Sequence, residues 1–161
     1  RGLGDVYKRQ LLHAEDSFIF LPYGCMVDEF QHIMYQQPNL TPDERNAVWL
    51  ELEKKYRPWI DFDNLPFYGR GAGWQRQLHI YECPFYYIDY CLSTMAALQF
   101  FLLSLHDQKD AWERYLRLVR RAGTASYTEL CETAGLQVPF RDGSIKAIAQ
   151  QMGQWIAEHQ V

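Results

Sequence analysis

Residues 79–90 read His-Ile-Tyr-Glu-Cys-Pro-Phe-Tyr-Tyr-Ile-Asp-Tyr, one imidazole and four phenols in a short stretch that leads into an otherwise apolar helix. Neutral imidazoles and phenols donate hydrogen bonds without carrying charge. Gathered at one point, they suit a carbonyl oxygen that turns negative during acyl transfer. Pro84 fits the first turn of a helix, where its missing N–H costs nothing. Tyr86, Tyr87 and Tyr90 would then emerge within a turn and a half, Tyr87 and Tyr90 on one face. The same residues also suit a plainer arrangement, in which tyrosines fill a helical core with their hydroxyls at its edge. Eleven tyrosines in the chain make that the general expectation for the others.

Metal chemistry is not written into the histidines. None of His13, His32, His79, His106 and His159 is followed by glutamate, and no two lie four apart, so the paired imidazoles of an H-E-x-x-H helix cannot form. Glu29-x-x-His32 has the form in which bundle proteins supply ligands to paired metals, but a second such motif is missing. Cys25, Cys83, Cys91 and Cys131 show no C-x-x-C spacing and read as reduced thiols. Gly69, Gly71 and Gly73 alternate ahead of Trp74 and could let backbone approach a ligand closely, although no strand precedes them as in a phosphate loop.

Three separated motifs carry a resemblance: Phe20-Leu21-Pro22-Tyr23-Gly24, Val27-Asp28-Glu29-Phe30-Gln31-His32, and His79 through Tyr90. With Trp74-Gln75-Arg76-Gln77 between them and Val138-Pro139-Phe140-Arg141-Asp142-Gly143-Ser144 beyond, the chain from about Leu11 onward resembles the C-terminal catalytic half of oligoendopeptidase F, in the thimet-type family of zinc metallopeptidases. The resemblance implies the all-α, multi-helix C-terminal part of a zincin-type catalytic domain. Its parent would be a cytoplasmic zinc metalloendopeptidase hydrolysing short peptides. His79, Tyr87 and Tyr90 would stabilise the transition state. Tyr86 would meet substrate, Tyr81 would stand in for a flexible-loop tyrosine, and Gly71 and Gly73 would border the substrate channel. Asp28, Glu29 and His32 would support the metal-binding helix by hydrogen bonds. The family's H-E-x-x-H and its further glutamate do not occur here, so the resemblance puts the zinc ligands upstream, on a missing N-terminal half of the same protein. This chain alone would be inactive. From another class comes a noncatalytic, all-helical protein- or peptide-binding module that presents the aromatic loop from Trp59 to Phe85.

Residues 1–10 lie outside the resemblance. They have no amphipathic period and no apolar signal-peptide core, and read as a non-native N-terminal scar or a short native tail. Residues 11–161 remain as a partial helical catalytic domain.

The elements that must position these residues read as helices. Leu11–Gln37 forms one, able to bend at Pro22 and Gly24, with Phe18, Leu21, Cys25 and Met26 near one face. Thr41-Pro42-Asp43-Glu44 is a capping box with proline at the first helical position, opening a helix to about Tyr56. A long Pro-, Gly- and aromatic-rich loop follows to Leu78. Pro84 then opens a central helix to about His106, Asp107 or Asp110 caps another to Arg121, and Ser126-Tyr127-Thr128-Glu129 boxes a short one that stops at Gly135. Asp142–Glu158 carries Ile145, Ile148, Met152, Trp155 and Ile156 at helical spacing.

Composition bounds the partners. With 48% hydrophobic and 16% aromatic residues the chain can build a core, and a net charge of −4 disfavours a nucleic-acid partner. Arg117, Arg120 and Arg121 suit the C-terminal end of a helix dipole better than a polyanion. The longest apolar run, Cys91 to Leu105, is shorter than the roughly 20 residues that cross a bilayer, which argues against membrane insertion.

Overall fold

Local capping chemistry sets several of the helix boundaries. Thr41 accepts a hydrogen bond from the Glu44 N–H at 3.3 Å while the Glu44 carboxylate accepts from the Thr41 N–H at 2.7 Å, a reciprocal box that starts α2 (Pro42–Tyr56). Asp107 accepts from the N–H groups of Lys109 and Asp110 and starts α5 (Gln108–Arg121). Ser126 and Glu129 repeat the box at α6 (Tyr127–Ala134), which Gly135 ends in the left-handed conformation at φ 68°.

The computed structural model describes residues 3–160. It adds α1 (Leu3–Gln36), a 3₁₀ turn at Ala72–Arg76, the single turn α3 (His79–Glu82), α4 (Ile88–His106) and α7 (Ser144–Glu158). Among the described residues there is no strand, and the fold is all-α. α1 runs unbroken through Pro22 and Gly24 and reaches back through residues 3–10 of the stretch read as a scar, while residues 1 and 2 lie outside the described residues.

The chain forms two compact units, one made of Ile19–Cys91 and the other of the remaining described residues. In Ile19–Cys91, Met26, Val27, Phe30 and Met34 of α1 pack with Trp49 and Leu52 of α2 and with Trp74. Of the face predicted from Phe18, Leu21, Cys25 and Met26, only Met26 is fully buried, and the buried stripe of α1 runs on from it to Met34. Phe30 is its centre, its ring edge-on to Trp49 at 5.0 Å and tilted against Trp74 at 5.7 Å. The core carries one charge pair. Glu53, only 5% exposed, accepts from the Trp49 indole N–H at 3.0 Å and from Arg57 at 2.5 and 2.8 Å, so both carboxylate oxygens have a donor.

In the other unit, Cys131, Ala134, Leu136 and Val138 pack with Ala96, Phe100, Leu103, Leu118 and Tyr127. Gln99 of α4 is buried, and its amide closes a two-way bond with the Gln137 backbone, accepting from N–H at 2.7 Å and donating to C=O at 3.1 Å. Arg117 and Arg121 do more than complement their own helix end, since they donate to the Thr133 carbonyl and hydroxyl at the end of α6. Among the described residues α4 is the helix long and apolar enough to cross a bilayer, at 19 residues and mean hydropathy 1.5. The amide of Gln99, satisfied by protein backbone, fits a packed helix instead.

Candidate active site

The loop between α2 and α3 is held by close approach to α2. Trp74 inserts its ring beside Phe30 and donates its indole N–H to the Asn46 side chain at 2.9 Å. Gly71 has φ 79°, and a Cβ there would stand 2.1 Å from the Asn46 carbonyl oxygen. A Cβ at Gly73 would stand 2.7 Å from the Trp49 indole nitrogen. Both glycines are buried, and their missing side chains make room for α2.

That anchored loop delivers His79. The His79 ring lies edge-on to Tyr87 at 5.0 Å and to Tyr90 at 5.5 Å, and parallel to Tyr86 at 6.4 Å. Tyr90 in turn meets Tyr86 and Tyr87 at 5.4 Å each. Four of the rings singled out in the sequence thus converge. His79 Nε2 is 3.3 Å from the Tyr90 hydroxyl, and its Nδ1 is 3.0 Å from the Gln77 side-chain amide, which accepts from the Tyr23 hydroxyl at 2.7 Å. Burial holds the Tyr23 phenol protonated, raising it to about 12 against the opposing pull of Arg57, whose guanidinium lies 4.7 Å above the Tyr23 ring. Tyr87 packs between Phe20 and Tyr23, and burial raises its phenol too. Tyr81 stands apart, 54% exposed and stacked on Trp74.

The route by which the tyrosines converge differs from the predicted one. Pro84 does not open a helix. It sits in a turn, Phe85 takes φ 64°, and α4 begins at Ile88, so Tyr86 precedes the helix, Tyr87 borders it and only Tyr90 lies within it. Left-handed backbone at an aromatic residue is strained. It is held because the Phe85 N–H donates to Gln31 of α1 at 2.8 Å, with its ring against His32 at 4.8 Å and Tyr35 at 4.9 Å.

The acidic string on α1 separates into two parts. The Glu29 carboxylate is taken up by α2, accepting from Lys55 at 2.7 Å and from the Tyr56 hydroxyl, which together hold it below the usual carboxylate range. Asp28 pairs with His32 at 3.4 Å, and burial raises its carboxyl against the pull of that imidazole. Among the described residues no three His, Cys, Asp or Glu side chains gather in a group that could hold a metal ion. Sequence reading placed Gln31, Gln77 and Tyr23 within the strings that carry the resemblance but gave none of them a role. It also missed the pair Cys25 and Cys91, in which hydrogen bonding from Cys91 favours the Cys25 thiolate and lowers that group to about 7.

Solved structures share this fold. A structure of PZ peptidase A with an inhibitor superposes with a TM-score of 0.91 at 44% identity over 96% of this chain. A protein described as oligoendopeptidase F gives 0.90 at 43% over 96%, and another from Bacillus anthracis str. Ames gives 0.77 at 35% over 97%. The chain belongs to the oligoendopeptidase F family. It spans only 28%, 27% and 24% of the lengths of those structures. No protein-family model and no curated protein matches the chain. Within this oligoendopeptidase F segment, the rings around His79 are the densest gathering of uncharged hydrogen-bonding groups described above.

Proposed function

We propose that this segment forms the carbonyl-binding wall of a zinc-dependent oligopeptidase acting on short peptides in the cytoplasm. One observation carries the reading: the His79 imidazole and the Tyr86, Tyr87 and Tyr90 phenols converge, side chains that can each donate a hydrogen bond. Peptide-bond cleavage builds negative charge on the carbonyl oxygen, and donors fixed in place beforehand stabilise that charge without reorganising. His79 Nε2, Tyr87 and Tyr90 are the proposed donors, and Tyr86, beside them, lines the substrate. Tyr81 is proposed to reach substrate from its exposed position. The zinc ligands are proposed to come from sequence outside these residues. Of the three residues read as supporting a metal helix, Asp28 and His32 remain suited to it, because Lys55 and Tyr56 occupy Glu29.

The test is kinetic and uses the complete peptidase. Tyr90→Phe and Tyr87→Phe remove single hydroxyls, and each donor to a developing oxyanion should lower kcat about 10²–10³-fold with little change in KM. His79→Gln should behave similarly. Tyrosines that only pack would instead lose about 1 kcal/mol of stability with turnover kept, and near-normal kcat in all of these variants would rule the reading out. The binding-module alternative keeps peptide affinity with no hydrolysis in the complete protein.

A further inference from the structure

We infer that Gln77 is a positioning residue that fixes the tautomer of His79, holding Nδ1 as an acceptor and Nε2 as the N–H that faces Tyr90. The inference deepens the role proposed for His79 and rests on that reading only for its catalytic consequence. An imidazole donates from the nitrogen that carries the proton, and the hydrogen bond at the other nitrogen decides which one that is. Here the other nitrogen meets an amide whose polarity is set from behind. Tyr23 is a protonated phenol within the Ile19–Cys91 unit, and its hydroxyl donates to Gln77 Oε1 at 2.7 Å. With Oε1 so engaged, the amide turns its Nε2 toward His79 Nδ1 at 3.0 Å. An amide N–H can only donate, so Nδ1 must accept, and the ring proton lies on Nε2, 3.3 Å from the Tyr90 hydroxyl. A chain of three hydrogen bonds, Tyr23 to Gln77 to His79 to Tyr90, therefore points one way, toward the ring cluster. The anchor of this relay is structural: the Tyr23 ring packs edge-on to Trp49 at 6.4 Å and lies beneath the Arg57 guanidinium. Gln77 itself follows the 3₁₀ turn whose Trp74 is tied to Asn46.

The opposite polarity is chemically sound and gives a sharp contrast. Were the amide reversed, Gln77 would accept from Nδ1–H, and Nε2 would accept from Tyr90 and could not donate. Nitrogen-15 NMR of the chain with labelled histidine separates the two, with the His79 signals assigned through His79→Gln. The expected result is a pyrrole-type Nε2 and a pyridine-type Nδ1 for His79. A protonated Nδ1 in the unsubstituted chain overturns the inference with no variant needed. Gln77→Glu replaces the donor by a carboxylate that can only accept, and should move the proton to Nδ1. Tyr23→Phe should leave the amide free to turn and give a mixture. If the Gln77→Glu spectrum, recorded at a pH where the His79 ring carries a single proton, keeps that proton on Nε2 while the fold is intact, the inference fails. In the complete peptidase, Gln77→Glu should lower kcat about tenfold or more at unchanged KM, since one donor is lost. An inverted tautomer with unaltered kcat would leave the inference standing and remove His79 from the proposed catalytic donors.

Discussion

At the scale of single residues, chemistry and packing compete for the same positions, and geometry separates them. Gly71 is the clearest case. The resemblance gives it a place beside substrate, yet its left-handed backbone lies against the Asn46 carbonyl. Gly71→Ala must therefore strain the backbone and displace α2, costing roughly 2 kcal/mol or more, by the combined effects of positive φ and overpacking. Thermal denaturation should register that loss, and the Michaelis constant of the complete peptidase, assayed where the variant stays folded, should not move. A large rise in KM without loss of stability would return Gly71 to the substrate. The tyrosines divide in the same manner: Tyr23 is fixed by burial as a structural donor, whereas Tyr86 and Tyr90 are 48% and 39% exposed at the edge of the cluster.

At the scale of elements, capping and charge tie the helices down. Thr41→Ala removes the side chain that closes the α2 box and should cost about 1 kcal/mol, measurable by denaturant titration. The tie between α1 and α2 depends on pH through Glu29. Its folded value is lowered, first by the Lys55 hydrogen bond and then by Tyr56, so its contribution is present above the ordinary glutamate range and lost as pH falls through the lowered value. Glu29→Gln should destabilise the chain at neutral pH and become indifferent in acid. Asp28 has the opposite sign. Burial raises its folded value, so its ionised form costs stability at neutral pH, a cost that vanishes as pH falls through that value. Asp28→Asn should stabilise the neutral protein, and the gain should disappear in acid. Stability measured against pH for the two variants gives curves that diverge in opposite directions, and parallel curves would contradict both assignments.

At the scale of the molecule, large apolar surface remains uncovered. Phe100, Trp112 and Tyr115, with α5 residues beside them, line a groove of about 890 Å³, and Trp112 is 58% exposed. Uncovered aromatic surface of that kind favours association. The chain spans about a quarter of the length of the structures it matches, which fits a surface that further polypeptide covers. The purified chain is expected to bind an apolar dye and to self-associate with rising concentration, and Trp112→Glu should reduce both. A monomer with no dye binding would favour the self-contained binding module.

The sequence by itself determined the helices and many of their ends. Thr41, Asp107, Ser126 and Gly135 act within four residues of the groups they satisfy, so the boundaries of α2, α5 and α6 were legible from neighbours alone. The pattern along α7 was equally readable, although only Ile148 and Met152 of its apolar set are fully buried and Ile145 faces out, because helical spacing marks a face without saying what covers it. The ring cluster around His79 was also foreseen, as closeness in sequence brings those residues together under either backbone path. Tertiary structure alone decided that path. Pro84 is a locally sound helix start, but Gln31, 54 residues away, claims the Phe85 N–H and delays α4 to Ile88. Distance hid the Tyr23 and Gln77 relay and the Cys25 and Cys91 pair in the same way. A hydrogen bond between groups far apart in sequence leaves no periodicity and no motif, and which amide turns toward which ring is settled only when the core is packed around it.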